Sequence, residues 1–274
     1  MKSFVTRLIS GIFLILIALF TIINGGVYLF VVVAALSMVG LYELYRIFKV
    51  HNRLLGIVGY LAAIGYYTLL YFGRSDYYML LFLAVIALLL LVYVFSFPKY
   101  SAEQVMSVFF GLFYVVVMLS YIYQTRELPD GAFIVWLIFI ASWGSDTGAY
   151  CVGSLIGKHK FAPRLSPKKS VEGAIGGIAA AVLLGTAYAW IVQYALGYAD
   201  RTKVVLVIIC GLGSILAQLG DLAASAIKRN KDAKDYGDII PGHGGVLDRF
   251  DSVIITAPVI YYLAFFFGKM TGLL

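Results

Sequence analysis

Charge is the scarcest commodity in this chain. Asp, Glu, Lys and Arg make up only 13% of its 274 residues, about half the share of an ordinary soluble domain. A conventional globular domain is thereby excluded, because its surface needs far more charge to stay in water. Cysteine is nearly absent. Cys151 and Cys210 lie in or beside apolar runs without metal-ligand spacing, which excludes a disulfide scaffold or a thiolate metal centre and leaves packing as their role. With six prolines in all, no proline-rich linker divides the chain. What remains is apolar: 62% hydrophobic residues, with aromatics at 16%. This is the composition of a polytopic membrane protein.

A helix crosses a bilayer with about 20 mostly apolar residues. Nine stretches qualify, roughly 6–23, 27–45, 54–72, 78–97, 105–124, 131–152, 172–196, 203–222 and 252–271. The expected fold is therefore all-α, an integral membrane protein of about nine transmembrane helices. The first stretch reads as an anchor, since it has no small-residue cleavage site and eight more follow it. Lys and Arg set the orientation. With the N-terminus cytoplasmic, 16 of the 21 fall on the inner side and five on the outer: Arg74, Arg126, Arg201, Lys203 and Lys269. The two long charged segments, 153–171 and 223–251, then share the cytoplasmic face. The net charge of +7 follows from this bias. Its natural counter-charges are anionic lipid head groups, and nucleic acid is not expected as a partner.

The two halves differ. Residues 1–125, spans one to five, are compositionally plain and read as a transmembrane scaffold. Glu43 stands one turn from Arg46 near a helix end, and a local ion pair is the expected reading. Residues 126–274, spans six to nine, carry polar groups inside the spans and glycine around them. The chemistry is expected there.

Three constellations stand out. Asp146 lies inside span six among Ser142, Ser145 and Thr147, and an acid within the membrane is a functional candidate by default. In 157–177, Lys168 and Lys169 precede Ser170, a candidate N-cap for span seven, so bases sit beside a helix start suited to an anion. Residues 221–252 hold six aspartates and five Lys/Arg in a chain otherwise poor in both. If span eight stays helical through Lys228, then Asp221, Ser225 and Lys228 share one face. The Pro241-Gly242-His243-Gly244-Gly245 turn allows close backbone approach to a ligand. Asp221 and Asp248, at neighbouring helix ends, are the acids expected to converge on one hard cation, and Mg²⁺ suits one or two carboxylates plus substrate phosphates. Asp232, Asp235 and Asp238 read as solvent-facing partners of local lysines.

The run Ser225-x-x-Lys228-Arg229, Lys234-Asp235-x-Gly237, then Pro241-Gly242-His243-Gly244-Gly245-x-x-Asp248-Arg249-x-Asp251 resembles the signature of the phosphatidate cytidylyltransferase (CDP-diacylglycerol synthase) family. Ser145-Asp146-Thr147-Gly148-Ala149-Tyr150 and Ser166-Pro167-Lys168-Lys169-Ser170-x-Glu172-Gly173 are similar to its other blocks. The resemblance covers about 140–252 closely. Ala224 departs from it, standing where many members have an acid.

The resemblance implies transfer of CMP from CTP to phosphatidic acid, giving CDP-diacylglycerol and pyrophosphate in phospholipid biosynthesis. It implies Mg²⁺ on Asp221 and Asp248, is compatible with K⁺ beside it, and points to a homodimer in the inner membrane with its active site facing the cytoplasm. Asp221, Asp248, Lys228 and Arg229 are the expected catalytic set. Lys168, Lys169, Ser225, His243, Arg249, Asp251 and Asp146 are expected around the substrates, with membrane lipids as surroundings. Rival readings are a CTP-dependent cytidylyltransferase or kinase acting on an isoprenoid lipid and, from a different class, a secondary transporter with midplane charges. The transporter reading fits poorly with charges gathered at one face.

Overall fold

The computed structural model describes residues 2–197, 200–240, 242 and 244–271. Helices α1 (Lys2–Asn24), α2 (Gly26–Ile47), α3 (Leu54–Tyr71) and α4 (Tyr78–Phe95) come first. They are followed by α5 (Ala102–Arg126) and α6 (Gly131–Ile156), then α7 (Val171–Leu196), α8 (Asp200–Asn230) and α9 (Leu247–Thr271). From α2 to α9, eight helices among the described residues are long and apolar enough to span a membrane. The expected first span, 6–23, lies within α1, whose apolar part among the described residues is the shorter Leu14–Asn24. The all-α membrane fold is thus observed.

The chain folds as two compact units. The first comprises Met1–Thr21, Val27–Ser120 and Lys231–Arg249; the second comprises Ile22–Gly26, Tyr121–Asn230 and Phe250–Leu274. In the first, Leu41, Leu44, Tyr45, Val108, Leu112 and Val115 are fully buried. A span interior has no water to satisfy polar groups, so those present must pair. Tyr45 OH donates to Val108 O at 2.8 Å, Ser37 Oγ and Tyr67 OH lie 2.6 Å apart, and Tyr66 OH meets Ser120 Oγ at 2.9 Å. Helix α5 starts at a capping box: Ser101 Oγ accepts from Gln104 N, and Gln104 Oε1 accepts from Ser101 N.

In the second unit, α7 packs against α6 and α8. Small residues make the α6–α7 approach possible. A Cβ on Gly148 would stand 2.3 Å from Ala180 Cβ, and one on Gly177 would stand 2.7 Å from Ser145 O. Between helices in lipid, such closeness is the main source of attraction, because lipid tails are as apolar as the side chains they would replace. Residues Ile140–Gly144 of α6 form a π-helical segment, a local widening that rotates the following turn and frequently marks a functional site. Asp146 lies on that turn.

Between α6 and α7 the sequence reads as a loop, but the chain forms a two-stranded antiparallel hairpin. Strands β1 (Lys160–Ala162) and β2 (Ser166–Ser170) pair Lys160 with Ser170 and Ala162 with Ser166. Pro163 and Arg164 lie in the connection, where a proline needs no ladder N–H. Helix α8 has 31 residues, hence a length of about 46 Å. A hydrocarbon core is about 30 Å thick, so α8 extends well past it. Asp221, Lys228 and Arg229 gather at its C-terminal end.

Candidate active site

A cavity of about 410 Å³ opens in the second unit, lined by Asp146 and Tyr150 of α6, Lys160, Lys168 and Lys169 of the hairpin, and Gln218 and Asp221 of α8. Lys169 Nζ forms an ion pair with Asp221, both side chains being largely buried. Ser225 Oγ stands 3.5 Å from Asp221 Oδ1, one turn along α8, as the shared helix face requires. Asp146 Oδ2 accepts from Ser252 Oγ at 2.9 Å. Gln218 Nε2 donates to Ala174 O at 2.9 Å and to Ser145 Oγ at 3.2 Å, tying α8 to α7 and α6.

Asp251, one turn into α9, accepts from the Ser252 amide at 2.9 Å. Asp221 acts electrostatically on both Asp146 and Asp251, Lys169 on Asp146, and Lys228 on Asp251. Five of the expected residues therefore share one electrostatic neighbourhood. Lys228 is 8% exposed at the end of α8, while Arg229 beside it is exposed. A buried lysine must be paired or hydrogen-bonded; burial here keeps its charge within reach of Asp251. Lys168 is exposed on the same strand as Lys169 and lines the cavity too.

The local sequence explains how these groups are held. Ser170 caps α7 as expected, its Oγ accepting from Gly173 N at 3.1 Å. Glu172 in the first turn accepts from the amides of Lys158 and His159, at 3.1 and 3.2 Å, and contacts the His159 ring. The segment before β1 is thereby folded onto the start of α7. With the Gly173 amide taken by Ser170, the positive charge of the cavity comes from lysine side chains.

Asp248 and Arg249 belong to the first unit. Asp248 Oδ2 accepts from Tyr236 N at 2.8 Å and from Gly245 N at 3.1 Å, closing the 236–248 segment on itself. Arg249 is exposed in the first turn of α9. His243 lies outside the described residues. Asp232, Asp235 and Asp238 are all exposed, and Asp238 faces Arg46 at 3.4 Å. Among the described residues no three His, Cys, Asp or Glu side chains form a ready metal cage.

One expectation is corrected. Glu43 does not pair with Arg46. It is fully buried, and its two oxygens accept from Val246 N and Leu247 N, each at 2.9 Å. Arg46 instead donates to Tyr236 O at 3.0 Å. The physical reason lies at the start of α9, whose first amides have no partner within the helix. Two such donors hold a buried carboxylate better than one mobile arginine reached from the next turn. Nothing near Glu43 in sequence announces this. Gln218 was also overlooked, although a glutamine in the middle of an apolar span is itself a signal.

Comparison with known proteins places the chain in a family. Residues 5–267 match the profile of the Cytidylyltransferase family. A protein named phosphatidate cytidylyltransferase from Bacillus subtilis (strain 168) is 32% identical, the match covering 96% of this chain and 98% of that protein. Proteins of the same name from Staphylococcus saprophyticus and Staphylococcus haemolyticus are 31% and 32% identical, with 94% of this chain and 97% of each relative covered. With the profile running almost from end to end and the relatives matched over nearly their full length, the chain belongs to the cytidylyltransferase family.

Proposed function

We propose that this chain transfers CMP from CTP to phosphatidate, giving CDP-diacylglycerol and pyrophosphate. A phosphate oxygen of phosphatidate attacks the α-phosphorus of CTP. The bond from that phosphorus to the oxygen bridging to the β-phosphorus breaks, and pyrophosphate leaves with the electron pair. Near neutral pH the attacking oxygen is already anionic, so no side chain need act as a strong base. The demands on the protein are alignment and neutralisation of charge.

The observation that carries this reading is the 410 Å³ cavity at the polar end of α8, where lysines of the hairpin face carboxylates of α6 and α8. Lys168 and Lys169 supply point charges for phosphate, and Lys228, Arg229 and Arg249 complete the basic set. Ser225, Asp146, Asp251 and His243 are the further residues we assign to substrate binding. An amphiphilic acceptor also suits a site borne on membrane helices, since its acyl tails can stay in the bilayer while its phosphate reaches the cavity.

The donor set fits Mg²⁺. Asp221 and Asp248 both offer hard carboxylate oxygens, as do Asp146 and Asp251, on which Asp221 acts electrostatically. Mg²⁺ characteristically takes one or two carboxylates and completes its shell with water and substrate phosphates, so it needs no cage of three side chains. Asp221 and Asp248 are the residues we assign to it, with K⁺ as a companion ion. When bound, the metal would offset charge on the triphosphate and the departing pyrophosphate. We further assign the protein to the inner membrane as a homodimer, its site facing the cytoplasm; the bias of 16 basic residues against five supports that orientation.

The test is purified protein in liposomes with labelled CTP, phosphatidate and Mg²⁺. CTP-dependent CDP-diacylglycerol with matching pyrophosphate is the expected product. Product formed only from an isoprenoid phosphate or a lipid alcohol would replace phosphatidate as the acceptor, and no product from any lipid would overturn the reading.

A further inference from the structure

The segment that carries the densest charge of the sequence does not hold its shape alone. Within the first unit, 231–249 is fastened to helices of the plain half of the chain at several points. Lys231 pairs with Glu103 at the start of α5 and lies 4.8 Å over the ring of Phe48. Arg46 of α2 donates to Tyr236 O. Deepest of all, Glu43 of α2 accepts from Val246 N and Leu247 N while itself fully buried.

The geometry around Glu43 is tightly constrained. A Cβ on Gly237 would lie 2.3 Å from Glu43 Oε1, and one on Gly245 would lie 2.6 Å from it. Gly245 does not have positive φ, so room rather than backbone conformation is what requires glycine there: an added Cβ would crowd both Glu43 oxygens, at 2.6 and 2.7 Å, and the Gly237 backbone nitrogen at 2.7 Å. Three consecutive amides divide between two acids: Gly245 N–H goes to Asp248, Val246 and Leu247 N–H to Glu43. Asp248 follows directly on the pair that Glu43 holds. Both Glu43 oxygens act as acceptors, a role glutamine cannot reproduce, since its amide would set N–H against N–H.

We infer that Glu43 is a positioning residue for the reaction, fixing the 244–248 turn and through it the orientation of Asp248. The inference rests on the proposed cytidylyl transfer, but the holding of the turn is measurable without it. Hydrogen exchange across 240–250, thermal stability, kcat and both KM values would be compared in full-length wild type, Glu43→Gln and Gly245→Ala. Gly245→Ala crowds the carboxylate, and the Gly237 backbone beside it, while leaving Glu43 itself in the chain. Both variants are expected to speed exchange at 244–248 by about tenfold or more, the scale of one lost charge-assisted hydrogen bond. The kcat should fall by about tenfold or more while KM for phosphatidate stays within about twofold, because a misplaced acid weakens the transition state and leaves acceptor binding alone.

Unchanged exchange at 244–248, or full kcat despite faster exchange, overturns the inference. So does acceleration spread evenly over the chain, which would make Glu43 a general stability residue. If Glu43→Gln yields no folded protein, Gly245→Ala decides by the same readouts. Wild type without CTP-dependent product would defeat the proposed reaction, and the exchange comparison would still decide whether Glu43 holds the turn.

Discussion

Lys169 of the hairpin and Asp221 of α8 form an ion pair in the wall of the cavity. A base expected to grip substrate and an acid expected to hold a cation thus neutralise each other across it. The pair is only partly exposed, so its attraction is less screened than that of a surface pair. Lys169→Met should leave Asp221 uncompensated and remove a phosphate partner. Initial rates at varied CTP and phosphatidate should show KM for one substrate raised about 10- to 100-fold, the scale of a lost charge-assisted hydrogen bond. A KM unchanged for both would remove Lys169 from substrate binding.

Asp221→Ala and Asp248→Ala should each lower CDP-diacylglycerol formation by about a hundredfold or more if a metal bound by these acids is worth several kcal/mol. Chelation should abolish the wild-type rate, and added Mg²⁺ should restore it. Wild-type turnover by either variant would sink the assignment of the two acids.

The α6–α7 contact leaves no room for a larger side chain at Gly148, whose added Cβ would meet Ala180 at 2.3 Å. Gly148→Leu should cost about 1–3 kcal/mol by overpacking. Thermal unfolding in detergent would register the loss, and activity should drop with it because Asp146 lies two residues away on the same helix. An unshifted unfolding temperature would mean that the two helices separate easily.

Ser170→Ala removes the α7 cap and the Gly173 N–H bond at 3.1 Å. A loss of about 1 kcal/mol is expected. Hydrogen exchange should quicken in the first turn of α7 and in β2, which ends at Ser170, and leave α2–α5 unchanged. Ser170→Asp, which keeps a capping oxygen, should recover most of the protection.

Much of the site was legible in the residues because short-range geometry decides it. Asp221 and Ser225 come together through helical periodicity once α8 runs to Asn230. Ser170 caps α7 because a hydroxyl one residue before a helix finds its orphan amides. The hairpin was not legible, since 157–170 holds two prolines and five bases and shows no alternation of apolar residues. Its pairing depends on register between strands rather than on composition. Glu43 misled for a related reason: on a helix the nearest opposite charge in sequence is a good first guess, but its donors lie about 200 residues away.

Composition, span length and the distribution of Lys and Arg were enough to determine an all-α membrane protein, because the bilayer imposes those terms on any chain that crosses it. The spacing of Asp221, Ser225 and Lys228 determined that they share one face once α8 stays helical through them. Tertiary structure alone decided that Lys169 meets Asp221, that Ser252 meets Asp146, and that Glu43 seats the turn before Asp248. These are contacts between elements distant in sequence. A buried carboxylate takes whichever donors packing brings within 3 Å, and no local pattern records which those will be.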